Sequence, residues 1–388
     1  MRGYLTVAFV VACATAAVLP LMIRVSLRFD VLAEPDGERR LHLRPTPVLG
    51  GAAMCVGSLV GFVLAWRLGQ FHEVFGSSSE VLGVAVGALI ITAVGLADDI
   101  WEVSPPAKIA GQVLAGSAMY LLGTSLDQIT LPFIGIVQIS ADLAPLVTVL
   151  WVIGMANAIN LIDGLDGLAA GIVAIASAAF LLYSTRLFDN QLISGSNMGP
   201  LLAAITLGVC VGFLPFNFNP ARIFMGDAGA MLLGLLLAAS TMVVGGRAVR
   251  GVQVPGQTFF FLAPLFIPVL ILAVPIGDVV RLAIRRTIRR TGWATADRDH
   301  LHYRLVELGH GPRRAVVILW LLTTIASGFA LAPLFFKSAF VFVPLFASLV
   351  GVALFSYFHP DLIGQRRDER ARRSAKLASK TGAARRAP

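Results

Sequence analysis

Between Asn157 and Gly171 the chain reads NAINLIDGLDGLAAG, and four polar side chains interrupt an otherwise apolar run. Asn157, Asn160, Asp163 and Asp166 recur at every third position, which brings all four toward one face of a helix. Gly164 and Gly167 favour a helix end there instead; on either geometry the four converge. Polar groups flanked on both sides by hydrophobic sequence are costly to leave unpaired, so the chain must use them. Oxygen donors clustered this way suit a hard divalent cation, and a polar gap opening on water suits a charged substrate. The purely structural alternative is a capped helix junction, with Asp163 and Asp166 serving as N-caps of the following helix.

Other clusters carry the same kind of chemistry. In GLADDI, Asp98 and Asp99 cannot both ionise cheaply unless a cation or a lysine neutralises them, which makes them a metal or general-base pair; a solvated helix terminus is the alternative. NFNPARIFMGDAG is a proline-interrupted polar loop with Asn217, Asn219 and Arg222, followed by Asp227 between two glycines and then an apolar helix. That places a carboxylate beside a helix N-terminus, where it caps backbone donors or holds a metal. DRDHLHYR supplies His300 and His302 with Arg298 and Arg304 beside them, a set that fits a diphosphate grip better than zinc, since no Cys or third His is near. The isolated His42, His72, His310 and His359 read as surface residues.

These groups must be held by membrane-spanning helices. Hydrophobic residues make up 57% of the 388 and charged residues 14%, with a mean hydropathy of +0.80, against about 45–50% and 25% in soluble domains. Runs of about 20 apolar residues predict an all-α integral membrane protein, a polytopic bundle of about eleven transmembrane helices. The spans fall near 4–23, 49–66, 80–97, 107–123, 141–158, 167–184, 198–215, 228–245, 259–280, 315–335 and 338–357. The first run lacks a clear A-x-A cleavage site and reads as a retained helix rather than a signal peptide. Cys13, Cys55 and Cys210 all lie in apolar runs, imply no disulfide framework and read as small core residues.

With eleven spans, 25 of the 31 Lys and Arg fall on one side and six on the other. The basic side is then cytoplasmic, with the N-terminus outside and the C-terminus inside. Every polar cluster above, and Asp278 at the end of the ninth span, falls on that side. Residues 1–360 form one catalytic membrane domain on this reading. Residues 361–388 form a basic, compositionally disordered tail that lies near anionic lipid, so the net charge of +9 is no nucleic-acid signal. No carboxylate falls in mid-span, which disfavours an ion pathway; Walker A, dinucleotide-fingerprint and HExxH sequences are absent.

The motifs ERRLHLRPTPVLGG, GLADDIWEVSPPAK, NAINLIDGLDGLAAG, NFNPARIFMGDAG and ADRDHLHYRL occur in that order, within a resemblance that covers about residues 30–357. Together they resemble the polyprenyl-phosphate N-acetylhexosamine-1-phosphate transferases, in particular the branch acting on undecaprenyl phosphate and UDP-N-acetylglucosamine. The resemblance implies a bundle of ten or eleven helices in the bacterial inner membrane with a cytoplasmic active site. It also implies transfer of N-acetylglucosamine 1-phosphate from the UDP-sugar to undecaprenyl phosphate, releasing UMP, as the first membrane step of an envelope polysaccharide. The cofactor it implies is Mg2+, with Mn2+ as a substitute; a homodimer is compatible with it. Two rivals are the branch that transfers phospho-N-acetylmuramoyl-pentapeptide and, from another class, a lipid-sugar transporter.

Position by position, Asp98 and Asp99 match the paired aspartates near the lipid phosphate, and Lys108 a phosphate-contacting lysine. Asn160 and Asp227 match the metal ligands, with Asp163 beside them as a catalytic carboxylate. Asp166 matches a position that contacts uracil, and Asn157 joins the substrate-binding set. Arg298, His300 and His302 match a loop that closes over diphosphate and sugar, with His300 in a catalytic role. Two departures stand out: Tyr303 replaces a third histidine, and Val48 follows the Pro where an Arg is common, so neither position carries a role over.

A charge-assisted contact that strengthens as charge moves onto the leaving UMP acts on the transition state more than on the ground state. His300→Ala is therefore expected to lower kcat roughly 100-fold, about 2.7 kcal/mol, with a smaller change in KM. Tyr303→Phe is expected to be close to neutral. Steady-state kinetics on both variants check this, and a crippled Tyr303→Phe beside a normal His300→Ala would contradict the assignment.

Overall fold

The computed structural model describes residues 1–33, 45–131, 135–189, 193, 196–245, 305–306, 310–335 and 342–358. Among them are eleven helices: α1 Arg2–Arg28, α2 Gly50–Arg67, α3 His72–Gly76, α4 Glu80–Trp101, α5 Pro105–Leu121, α6 Ala144–Ile162, α7 Leu168–Asp189, α8 Gly199–Asn217, α9 Gly226–Gly245, α10 Gly311–Phe335 and α11 Phe342–Phe358. Ten of them, all but the short α3, coincide with expected spans. Seven, namely α1, α2, α4, α6, α7, α8 and α9, are long and apolar enough to cross a membrane by length and composition alone. The expected span 259–280, the loop carrying Arg298, His300 and His302, and the tail 361–388 lie outside the described residues.

Local sequence explains where these helices begin. Pro105 and Pro106 open α5, and Pro145 and Pro200 sit in the first turns of α6 and α8, where a missing N–H costs nothing. Two short antiparallel pairs were not expected from the apolar runs. β1 (Leu32–Ala33) pairs with β2 (Thr46–Pro47), and β3 (Gln128–Leu131) pairs with β4 (Gly135–Gln138), with Gln128 opposite Gln138. The second pair is a run of β-branched residues too short to span a bilayer.

Helix α9 is the axis of the bundle. Ala228, Met231, Leu232, Leu235, Leu236, Ala239 and Met242 are all fully buried, and α2, α4, α6, α7 and α8 pack around it. Helix α1 packs on α2 and α8, α5 bridges α4 and α6, and α10 lies on α7 with α11 outside it. In lipid such association rests on close packing of small residues rather than on a hydrophobic gradient. Gly95 of α4 is the instance nearest the polar end: a Cβ there would overlap the backbone of Ala228 in α9. The outer faces keep large apolar side chains exposed, as with Ile109, Val113, Leu114 and Leu121 on α5.

Two expectations about single residues are corrected. Cys13 is exposed on the outer face of α1, while Cys55 and Cys210 are buried as expected; an apolar run says that a residue is in a span, not which face it occupies. His310 is only 3% exposed, because it stands at the start of α10 where that helix docks on α7, whereas His72 is exposed as expected.

Candidate active site

Among the described residues, the polar groups singled out from the sequence gather at one end of the bundle, where α4, α6 and α8 end and α5, α7, α9 and α10 begin. The first turn of α9 is the point of assembly. A helix start leaves N–H groups without intrahelical partners and carries partial positive charge. Here the partner is Asp99, reaching across from α4: its Oδ1 accepts from the Asp227 N–H at 2.8 Å and its Oδ2 from the Ala228 N–H at 3.2 Å. Asp227 therefore does not cap its own helix; the cap comes from a residue 128 positions earlier. Gly226 makes room for it, with φ of +64° and a carboxylate lying where a Cβ would stand.

Asp98, one residue earlier on α4, is free of that duty. The Lys108 ammonium, in the first turn of α5, donates to Asp98 Oδ2 at 2.8 Å and also contacts Asp227 Oδ2. Asp98, Asp99 and Asp227 each bring an oxygen within 4.8 Å of the others. Three carboxylates this close repel one another, and the single ammonium offsets part of that repulsion.

The stretch that opened the sequence reading divides into two sets. Helix α6 continues through Ile162, so Asn157 and Asn160 are helical, Asp163 is the C-cap and Asp166 lies in the turn before α7. Asp166 does not cap α7. Its Oδ2 accepts from Asn219 Nδ2 at 2.9 Å and from the Ala221 N–H at 3.0 Å, which pins the loop after α8. The N–H of Gly167 is taken instead by Asn217 Oδ1 at 2.9 Å, while Asn217 Nδ2 donates to the Ile223 carbonyl at 3.0 Å. Asn219 is followed by a cis bond to Pro220, and its carbonyl accepts from Arg313 Nε of α10 at 2.8 Å. Asn157 turns inward, donating to Gln112 Oε1 at 2.7 Å and to its own Ile153 carbonyl at 2.8 Å.

Asn160 and Asp163 form the other set: their side chains make no hydrogen bond among the described residues. Burial pushes the Asp163 carboxyl up to about 7, and the nearby carboxylates of Asp227, Asp166 and Asp99 push it the same way. Near neutral pH a cation brought alongside therefore readily displaces its proton to solvent. The donors assembled here, on Asp98, Asp99 and Asp227 with Asp163 close to Asp227 and Asp99, are all carboxylate oxygens, and such a set fits a hard divalent cation rather than zinc.

Sequence reasoning missed Gln112, and it named Asn217 only as part of a polar loop and not for the bonds it makes. Both are buried, at 0% and 2% exposure. A lone amide inside an apolar run was the available signal for Gln112, the same signal that picked out Asn157.

The Asp99 clamp generates a stability prediction. Asp99→Ala strands two N–H groups at the start of α9, and loss of a charged cap costs roughly 1–3 kcal/mol. The variant in detergent is expected to show a lowered Tm and faster amide exchange at residues 227 and 228. Unchanged exchange there would show that the clamp does not hold the helix start.

Comparison with known proteins places this architecture. Residues 81–245, which carry the ends of α4 to α9, match the glycosyl transferase family 4. The chain is 35% identical to the decaprenyl-phosphate N-acetylglucosaminephosphotransferase of Mycobacterium leprae, over 80% of this chain and 78% of the relative. It is 30% identical to the Bacillus subtilis protein named "Probable undecaprenyl-phosphate N-acetylglucosaminyl 1-phosphate transferase", over 88% and 87%. With the phospho-N-acetylmuramoyl-pentapeptide-transferase of Mycobacterium avium the identity is 29%, over 86% and 97%. Similarity of this extent, running through the helices that build the polar end, makes the chain a member of glycosyl transferase family 4, within its polyprenyl-phosphate N-acetylhexosamine-1-phosphate transferases.

Proposed function

We propose that the protein transfers N-acetylglucosamine 1-phosphate from UDP-N-acetylglucosamine to a polyprenyl phosphate, such as undecaprenyl phosphate, in a Mg2+-dependent reaction at the cytoplasmic face of a bacterial inner membrane. The observation that carries this reading is Lys108 held between Asp98 and Asp227, with the uncommitted Asp163 near Asp227. One ammonium and a group of oxygen donors at the edge of an apolar bundle suit the meeting of two phosphate-bearing substrates, one soluble and one lipid-borne. The greater identity to the N-acetylglucosamine relatives than to the muramoyl-pentapeptide relative favours the smaller sugar.

Asp227 and Asn160 are the residues that would hold the metal, with Asp98 and Asp163 beside them. Bound there, a magnesium ion would neutralise diphosphate charge in the ground state and on the leaving group. An oxygen of the lipid phosphate attacks the β-phosphorus of the UDP-sugar, the bond from that phosphorus to the bridging oxygen breaks, and UMP departs with the electron pair. A phosphate monoester dianion is already nucleophilic near neutral pH, so Asp98 need only orient it together with Lys108. Lys108 gives the lipid phosphate a positive partner at the membrane edge, where water is scarce and the charge contact is strong. Asp166 and Asn219 keep the loop after α8 fixed beside the site, in reach of the nucleoside. Arg298, His300 and His302 would close over the diphosphate.

Purified protein with undecaprenyl phosphate and Mg2+ is expected to release UMP from UDP-N-acetylglucosamine and to do so far more slowly from UDP-N-acetylmuramoyl-pentapeptide. Asp227→Asn should abolish turnover while the protein stays folded, because a ligand rather than a core contact is lost. Faster release from the pentapeptide substrate would move the protein to the other branch; sugar-lipid uptake without UMP release would indicate transport. Near-normal turnover by a well-folded Asp227→Asn would remove that residue from the site.

A further inference from the structure

One helical turn inside the site lies a second polar layer. Gln112 follows Lys108 by four residues on α5, Met231 follows Asp227 by four on α9, and Asn157 precedes Asn160 by three on α6. Each pair shares a helix face, so the three inner residues sit about 4.5–6 Å deeper along the bundle than their outer partners. The inner three are in contact. Gln112 Oε1 accepts from Asn157 Nδ2 at 2.7 Å, and Gln112 Nε2 donates to Met231 Sδ at 3.1 Å and lies 3.4 Å from Asn157 Oδ1. Gln112 is 0% exposed, and the remaining Asn157 donor is spent on the Ile153 carbonyl.

We infer that Gln112 and Asn157 form a positioning pair that sets the spacing of α5, α6 and α9, and so the distances between Lys108, Asn160 and Asp227. This inference rests on the proposed transferase reaction and assigns Asn157 to the scaffold rather than to substrate binding. An amide pair with Gln112 fully buried has few substitutes at this depth: water reaches a lost partner of Gln112 poorly, and an apolar contact would let the helices slide. Lys108 and Asp227 sit on separate helices, and their contact alone does not fix α6, which carries Asn160. The amide pair links α5 to α6 directly, and the Met231 contact links α5 to α9. Both links act one turn from the reacting groups, where a shift of 1 Å in helix position is carried over undiminished.

The test uses the full-length protein purified in detergent, with Gln112→Met, Asn157→Leu, their double variant and the swap Gln112→Asn with Asn157→Gln. Each single variant is expected to lower kcat roughly tenfold or more. KM for UDP-N-acetylglucosamine and for undecaprenyl phosphate should stay within about twofold, since neither amide touches substrate. The double variant should be no slower than the worse single, because it removes both halves of the pair instead of leaving one buried and unpartnered. The swap, which keeps an amide opposite an amide, should recover part of the rate. In protein free of metal and substrate, the first turn of α9 should exchange its amides faster in the single variants, a readout independent of turnover.

A folded single variant with normal kcat overturns the inference. So does a raised KM at unchanged kcat, which would mark a substrate contact. Where a single variant does not accumulate, the double and the swap decide: a double at the wild-type rate, or a swap no faster than the double, overturns it. Wild-type protein that releases no UMP would instead refute the proposed reaction, and amide exchange alone would then decide the inference.

Discussion

The carboxylate of Asp99 lies across the first turn of α9, and the arrangement of the polar end follows from that contact. Helix α9 is enclosed by its neighbours, so the N–H groups at its start cannot rely on water as those of an exposed helix would. Asp99 supplies acceptors where the helix presents unpaired donors and a partial positive charge. The same contact brings the end of α4 against α9 closely enough to require glycine at 95 and 226. It leaves Asp98 and Asp227 side by side, and that pair of charges calls for the Lys108 ammonium. One helix-capping interaction thus generates the electrostatic problem that the site is built to use.

A useful division runs through the polar residues according to whether their hydrogen-bonding capacity is already spent. Asp99, Asp166, Asn217 and Asn157 are committed to backbone groups or to other amides, and they hold α9, the loop after α8, the start of α7 and the α5–α6 contact in place. Among the described residues, Asp98, Lys108 and Asp227 are bound only to one another, and Asn160 and Asp163 make no side-chain hydrogen bond. Charges held by each other exchange partners at small cost when a phosphate or a cation arrives. Carboxylates spent on backbone N–H groups do not, because leaving would strand buried donors.

Much of this was legible before any coordinates. Long apolar runs located ten of the described helices, and the polar interruptions within or beside them pointed to one end of the bundle. Those signals are local, set by the length of a bilayer and the cost of a polar group inside it. What the sequence could not show is which residue answers which. The adjacent Asp98 and Asp99 look equivalent in the chain, yet one faces an ammonium and the other a helix start, because helical neighbours point about 100° apart and α9 lies on only one side. Asp166 invites an N-cap reading for the same reason: its partner, the loop at Asn219, is 53 residues away. Gln112 was visible as a single amide in an apolar helix, but its importance comes from Asn157 and Met231, which only the packed bundle brings to it.

On the proposed reaction, a divalent cation sits between α6 and α9, near Asn160 and Asp227, while Asp99 keeps its contact with the start of α9. Anomalous scattering from crystals of the protein grown with Mn2+ and UDP-N-acetylglucosamine would locate the ion directly. The account predicts one strong peak within coordination distance of Asp227 and Asn160, with Asp99 still bound to the start of α9. A peak coordinated by Asp99, with the N–H groups of residues 227 and 228 released, would contradict it.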